Sequence, residues 1–205
     1  MSQQDRPLQP DTLAAQGTGD PALPYRDVVP PIHLATTFER APDGSLPGGR
    51  LYARDASPAY DAAERLLREL EQGEAAALFA SGMAAASAVL LALRPGARIV
   101  APHDMYWSLR KWLIEFAANW QIALDFYAGE DELAVRLQQP ADLVWVETPA
   151  NPTWEITDIA RAAELAHAAG ARLVVDSTVP TPVFTRPLTL GADLVMHSAT
   201  KYLNG

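Results

Sequence analysis

The sequence contains no cysteine, which removes disulfides, thiol nucleophiles and thiolate metal sites at once. Positive charge is scarce: 16 lysines and arginines face 25 aspartates and glutamates, for a formal net charge of -9. That surplus argues against nucleic acid or an anionic membrane as a partner. A local pocket can still oppose the global sign and take an anionic small molecule. No uninterrupted apolar run approaches bilayer-spanning length. Met1–Arg6 lacks a basic stretch leading into an apolar core, so the expected location is the cytoplasm. Three glycine signatures are missing too: Gly-x-Gly-x-x-Gly after a strand, Gly-Lys-Ser/Thr, and Gly-x-Ser-x-Gly. A Rossmann-type nucleotide-binding protein therefore remains only as a weak alternative. His33, His103, His167 and His197 are not spaced as metal ligands, and no metal site is expected.

Hydrophobic residues make up 49% of the 205 positions, enough for a sizeable core. Residues 1–50 are punctuated by Pro7, Pro10, Pro21, Pro24, Pro30, Pro31, Pro42 and Pro47, with Gly44, Gly48 and Gly49 close behind. Prolines fix φ and remove donors, so this stretch reads as an extended arm. Its apolar spots, Val28–Val29, Ile32 and Leu34, suggest that it lies against the body of the protein or a partner subunit. Residues 51–205 read as one α/β domain.

Ser57–Pro58 opens a helix whose Ala63, Leu66, Leu67 and Leu70 recur at helical spacing, with Glu64 placed to pair with Arg68. A second helix, Met83 to Leu93, is apolar nearly all round and is expected to be buried. Strands at 97–101, 123–127, 143–146, 173–175 and 194–196 then alternate with helices at 104–120, 131–138 and 158–170. Apolar strands without polar alternation indicate a mostly parallel sheet covered by helices on both faces.

In such a sheet, ligands bind just beyond the carboxyl ends of the strands. Those positions hold Ser81–Gly82–Met83, Glu147 to Pro152, Asp176–Ser177–Thr178, and Ser198, Thr200 and Lys201. Individually each has an ordinary reading: Lys201 as a surface lysine, Asp176 as a helix cap, Ser81–Gly82 as a connecting turn. Together they share one meaning. Pyridoxal phosphate requires a lysine amine for its carbonyl, an aspartate for its ring nitrogen, and N–H or hydroxyl donors for its phosphate.

The same residues carry a family resemblance. Residues 28–34, Tyr52–Ala53–Arg54, Ala80–Ser81–Gly82–Met83–Ala84, residues 101–106, 146–152, 175–178 and 198–205 follow one another as in the Cys/Met-metabolism class of pyridoxal-phosphate enzymes. The chain resembles the trans-sulfuration branch of that class, closest to the γ-synthase type. The resemblance implies the large domain of fold-type I, in incomplete form. Pyridoxal 5'-phosphate would be the cofactor and a small sulfur or activated-homoserine amino acid the substrate, with β/γ-elimination or γ-replacement as the chemistry.

It also implies roles. Lys201 is the Schiff-base lysine and base; Tyr106 is a catalytic residue stacked on the cofactor ring. Asp176 holds the ring nitrogen, Asn151 the phenolic oxygen, and Thr178 lies against the ring. Gly82, Met83, Ser198 and Thr200 hold the phosphate. Tyr52 and Arg54 reach the phosphate of a neighbouring subunit, so a homo-oligomer, a dimer of dimers, is expected.

The sequence departs from the family pattern in three ways. Ala56–Ser57–Pro58–Ala59 replaces a Gly-Asn-Pro-Thr run, and Trp107–Ser108 replaces Gly-Gly. Family members are also roughly twice as long, with a further C-terminal domain. A non-catalytic fragment of such an enzyme is therefore the main alternative.

Overall fold

The computed structural model describes residues 9–17, 27 and 29–203. Met1–Arg6, Pro7, Pro21, Pro24, Val28, Asn204 and Gly205, which entered the sequence reading, lie outside them. The chain divides into two compact units, Met1–Leu78 and Phe79–Gly205.

In the first unit, α1 (Pro10–Gln16) lies within the stretch expected to be extended. Proline suits a helix start, where its missing N–H would have had no partner. The helix packs against α2 (Pro58–Glu71), and that tertiary contact sustains a helix too short to persist alone. Thr37 and Tyr52 form an isolated antiparallel bridge, and Val29, Ile32 and Leu34 are exposed. α2 begins where Ser57 predicts. Ser57 Oγ accepts the Ala59 N–H at 3.2 Å, and the Ser57 N–H donates to Tyr60 Oη at 2.9 Å. Glu64 does not take the expected place beside Arg68. Its Oε1 accepts the Leu78 N–H at 2.8 Å, because a fixed backbone donor competes well with a mobile guanidinium.

The second unit is the expected α/β fold: a five-stranded, wholly parallel sheet in the order β2-β1-β3-β4-β5. The strands are β1 (Arg98–Pro102), β2 (Ala123–Tyr127), β3 (Leu143–Glu147), β4 (Arg172–Asp176) and β5 (Leu194–Met196). Successive side chains on a strand point to opposite faces, and the core divides accordingly. Val100, Val144, Val146, Leu173 and Val175 pack with Leu133 of α5 (Gly129–Arg136) and with Ile159, Ala162 and Ala166 of α6 (Ile159–Ala168). Ile99, Ala101, Leu143, Trp145 and Val174 pack with Ala86 and Leu90 of α3 (Gly82–Leu91) and with Leu109, Leu113 and Phe116 of α4 (Trp107–Trp120). A short α7 (Thr181–Phe184) and a 3₁₀ turn at Pro187–Leu190 lead into β5. Among the described residues no helix is long and apolar enough to cross a membrane.

Two further expectations need correction. α3 is only half-buried: Ala86 and Leu90 meet the sheet, while Leu91 is exposed. A helix lying on a sheet touches it along one stripe, whatever its remaining faces carry. α4 starts at Trp107 rather than Asp104. Tyr106 is still extended (φ -50°, ψ 117°), and its N–H is held by a distant carboxylate, Glu147.

Candidate active site

All strands point the same way, so their carboxyl ends form one edge. β1 and β3 are neighbours, and the connection leaving β1 runs outward to β2 while the one leaving β3 runs the other way to β4. Ligands gather at such reversals in open α/β sheets. A cavity of about 490 Å³ opens there, within the size range of small-molecule sites.

Its walls include Gly82, Met83, Tyr106, Asn151, Asp176, Thr178, Ser198, Thr200 and Lys201. Tyr52 and Arg54 belong to the first unit, where the Arg54 guanidinium sits 5.2 Å from the Tyr52 ring centroid. Tyr106 follows β1, Asp176 ends β4, and Lys201 closes a turn after β5 in which its N–H donates to Ser198 O at 3.0 Å. Asp176 is buried. Its Oδ1 accepts the Thr178 N–H at 3.0 Å and the Thr178 hydroxyl at 2.6 Å; neither bond involves Oδ2. Thr178 Oγ1 in turn accepts the Ser198 N–H at 2.8 Å, joining the ends of β4 and β5. Burial pushes the Asp176 carboxyl above its usual range, against the pull of both Thr178 bonds and of His197.

The approach of α3 to β5 is very close. A Cβ on Gly82 would stand 2.8 Å from both Cβ and Oγ of Ser198, so any side chain there would force the Ser198 turn to shift. Ser81 Oγ caps the helix by accepting the Ala84 N–H at 3.1 Å. The first-turn N–H groups of Gly82 and Met83 lie beside the hydroxyls of Ser198 and Thr200, which are 3.3 Å apart. Donors gathered at a helix start suit a phosphate.

Two further wall residues did not emerge as site residues from the sequence. Glu147, at the end of β3, is 7% exposed and accepts the Tyr106 N–H at 2.7 Å through Oε2 and the Asn151 N–H at 2.9 Å through Oε1. Burial lifts its pKa to about 7; the two N–H bonds oppose this and the Asp176 charge adds to it. The available signal was a carboxylate closing an otherwise apolar strand. Trp154 holds φ at 61° within a loop closed by Trp154 N–H to Ala150 O at 2.7 Å and Ala150 N–H to Glu155 O at 2.8 Å. Nothing in the local sequence marks a tryptophan for that conformation.

An amine, a buried carboxylate held through one oxygen by Thr178, an aromatic ring and a glycine-lined cluster of donors thus share one cavity. This donor set fits pyridoxal phosphate, and the α/β domain has the equipment of an enzyme that uses it. The sequence profile of the Cys/Met metabolism PLP-dependent enzymes matches residues 11–205, and the chain belongs to that family.

Cystathionine gamma-synthase of Escherichia coli (strain K12) is 42% identical over 184 residues, covering 88% of this chain and 47% of that protein. Cystathionine gamma-lyase of Dictyostelium discoideum is 38% identical over 180 residues, covering 87% and 46%. The crystal structure of cystathionine gamma synthase from Xanthomonas oryzae pv. oryzae with aminoacrylate and cysteine superposes with a TM-score of 0.92 at 37% identity. That superposition covers 98% of this chain and 52% of that one. The chain spans about half the length of the curated relatives it matches. Family membership leaves the Rossmann-type alternative without support.

Proposed function

We propose that this chain carries the cofactor site of a trans-sulfuration enzyme acting on a small sulfur or activated-homoserine amino acid. The reaction would be β/γ-elimination or γ-replacement, of the cystathionine γ-synthase type. The observation that carries the reading is the convergence of Lys201, Asp176 and the Gly82–Ser198 contact on one cavity.

Bound pyridoxal phosphate supplies an electron sink for a carbanion at the substrate α-carbon. Asp176 would accept the ring N–H through Oδ2 while Thr178 fixes its other oxygen. The Tyr106 ring would cover one face of the cofactor, with Asn151 at its phenolic oxygen and Thr178 against the ring. The N–H groups of Gly82 and Met83, with the hydroxyls of Ser198 and Thr200, would bind the phosphate. Lys201 would hold the cofactor through Nζ and then, as a free amine, take the α-proton of the substrate and return it elsewhere on the reacting skeleton. In a homo-oligomer, Tyr52 and Arg54 would complete the phosphate site of a second copy; the forked donors of arginine suit that anion.

The test is direct, because the sequence contains only one other lysine, Lys111, whose Nζ lies 5.7 Å from the Trp107 ring centroid. After incubation with pyridoxal phosphate and borohydride reduction, the label is expected on Lys201. Absence of label, or label on Lys111 alone, overturns the reading.

A further inference from the structure

We propose that Glu147 is a positioning residue of this site: its carboxylate clamps the segment after β1 to the segment after β3 and fixes the spacing of Tyr106 and Asn151 across the cavity. The functional meaning rests on the pyridoxal-phosphate reading; the clamp itself rests on geometry alone. β1 and β3 pair only at Ile99↔Leu143 and Val100↔Val144, whereas β3 and β4 stay in register as far as Glu147↔Asp176. Beyond Val100 and Val144, therefore, no backbone ladder joins β1 to β3, and the cavity opens where the ladder stops. The Glu147 side chain takes over at that point, with one oxygen on the Tyr106 N–H and the other on the Asn151 N–H.

Tyr106 is the N-cap of α4 and provides no side-chain cap of its own. Glu147 thus also sets where α4 begins, and a carboxylate there suits the positive end of the helix. Two acceptor oxygens on one rigid group satisfy two backbone donors that a neutral isostere cannot serve together. Glutamine would turn an NH₂ towards one of the two N–H groups.

The titratable groups around Glu147 are Asp176 on β4 and Tyr106, Lys201 and Tyr202 around the cavity, with His103, Asp104, Tyr127 and Glu155 lining a small adjoining cavity. Burial, opposed by the two N–H bonds and reinforced by Asp176, places the ionisation of Glu147 at about 7. Both bonds become charge-assisted above that pH, and both weaken below it.

Two measurements test the clamp. In the cofactor-free protein, the amide resonances of Tyr106 and Asn151 are expected to titrate together with one midpoint near 7, and Glu147→Gln should abolish that titration. Separate midpoints, or amides indifferent to pH, overturn the proposal, and this part of the readout uses the unsubstituted protein without cofactor. In the reconstituted protein, Glu147→Gln should retain Lys201 labelling at saturating pyridoxal phosphate. It should weaken cofactor affinity about tenfold, the effect of one buried hydrogen bond, and change the visible circular dichroism of the bound chromophore. Unchanged affinity and dichroism would mean that Glu147 holds nothing relevant to the cofactor. If unsubstituted protein takes no label at Lys201, the cofactor reading fails while the amide titration still decides the clamp.

Discussion

At the amino edge of the sheet, Arg98 donates through Nε to Asp125 at 2.8 Å and through its remaining nitrogens to the carbonyls of Gln139, Pro140 and Arg136, each at 3.0 Å. Asp193 on the same edge receives Arg172 at 2.6 Å, the Leu173 N–H at 2.8 Å and His167 at 2.9 Å. At the carboxyl edge of the same strands, Glu147 and Asp176 lie buried side by side, held by N–H and O–H donors, with His197 pulling electrostatically on Asp176. One edge neutralises its charges internally. The other holds two buried carboxyls whose ionised forms are expensive without a cation; Lys201 lines the same cavity, and a protonated pyridine is the cation that the proposed cofactor would bring there. On the proposed reading, stability and function are thus separated along the strand axis.

The largest effect should come from breaking the satisfied edge. Arg98→Ala strips a side chain only 16% exposed from a carboxylate and three carbonyls. The expected loss is about 3 kcal/mol, a fall in Tm of roughly 6–12 °C, with Lys201 labelling of the folded protein retained. Asp176→Asn should behave in the opposite way. It removes a buried charge while keeping the oxygen that accepts from Thr178, so stability should move by no more than about 1 kcal/mol. Cofactor affinity should fall sharply. Paired thermal melts and cofactor titrations check both, and equal destabilisation by the two substitutions would break the comparison.

The edges should also respond to pH with opposite signs. The Glu147 carboxyl is raised from 4.5 to about 7 on folding, so the folded state keeps a proton that the unfolded chain releases. Stability should therefore decline as pH rises from 4.5 through 7 and level off above, by an amount on the order of 3 kcal/mol. Asp176, also raised, adds a slope of the same sign. For Asp193, burial pushes upward, but the Leu173 N–H, Arg172 and His167 outweigh it and hold the carboxyl below 3.8. Its stabilisation is present above 3.8 and is lost as pH falls through the lower folded value. Urea unfolding across this range should show Glu147→Gln flattening the slope towards neutrality and Asp193→Asn flattening only the acid limb.

Much of this architecture was legible in the chain itself, and the exceptions share a cause. The runs 123–127 and 194–196 are strands to the residue although both lie at the sheet's edges and are only partly covered, because a short run rich in apolar residues and bounded by polar ones still marks where a strand begins and ends. Ser57 marked α2 because a cap acts within one turn. The start of α4 was misplaced because the group that fixes it, Glu147, is 41 residues away. Glu147 itself read as part of a proline-bounded turn for the same reason: its two partners are backbone donors on different segments. Lys201, Asp176 and Gly82 could be picked out because they terminate or follow strands, where the α/β fold makes position predictive. α1 was missed because contact with α2 sustains it rather than any pattern of its own.

The smallest effect concerns backbone room, and here too the edges differ. Gln121 ends α4 next to the amino edge, with φ at 57° and its carbonyl accepting the Gly96 N–H at 3.1 Å. A side chain in that left-handed region is strained, and Gln121→Gly should add about 1 kcal/mol without altering cofactor binding. Gly82 has no positive φ, yet a Cβ there would strike Ser198 at 2.8 Å. Gly82→Ala should therefore leave the melt within about 1 kcal/mol, since the short Ser198 turn can yield. Cofactor affinity should fall at least tenfold, because that yielding would move the hydroxyls of the proposed phosphate site. Glycine is favoured at Gln121 by conformation, whereas at Gly82 the proposed phosphate site would require it. A Gly82→Ala protein that bound cofactor normally would show that the close approach of α3 to β5 serves packing alone.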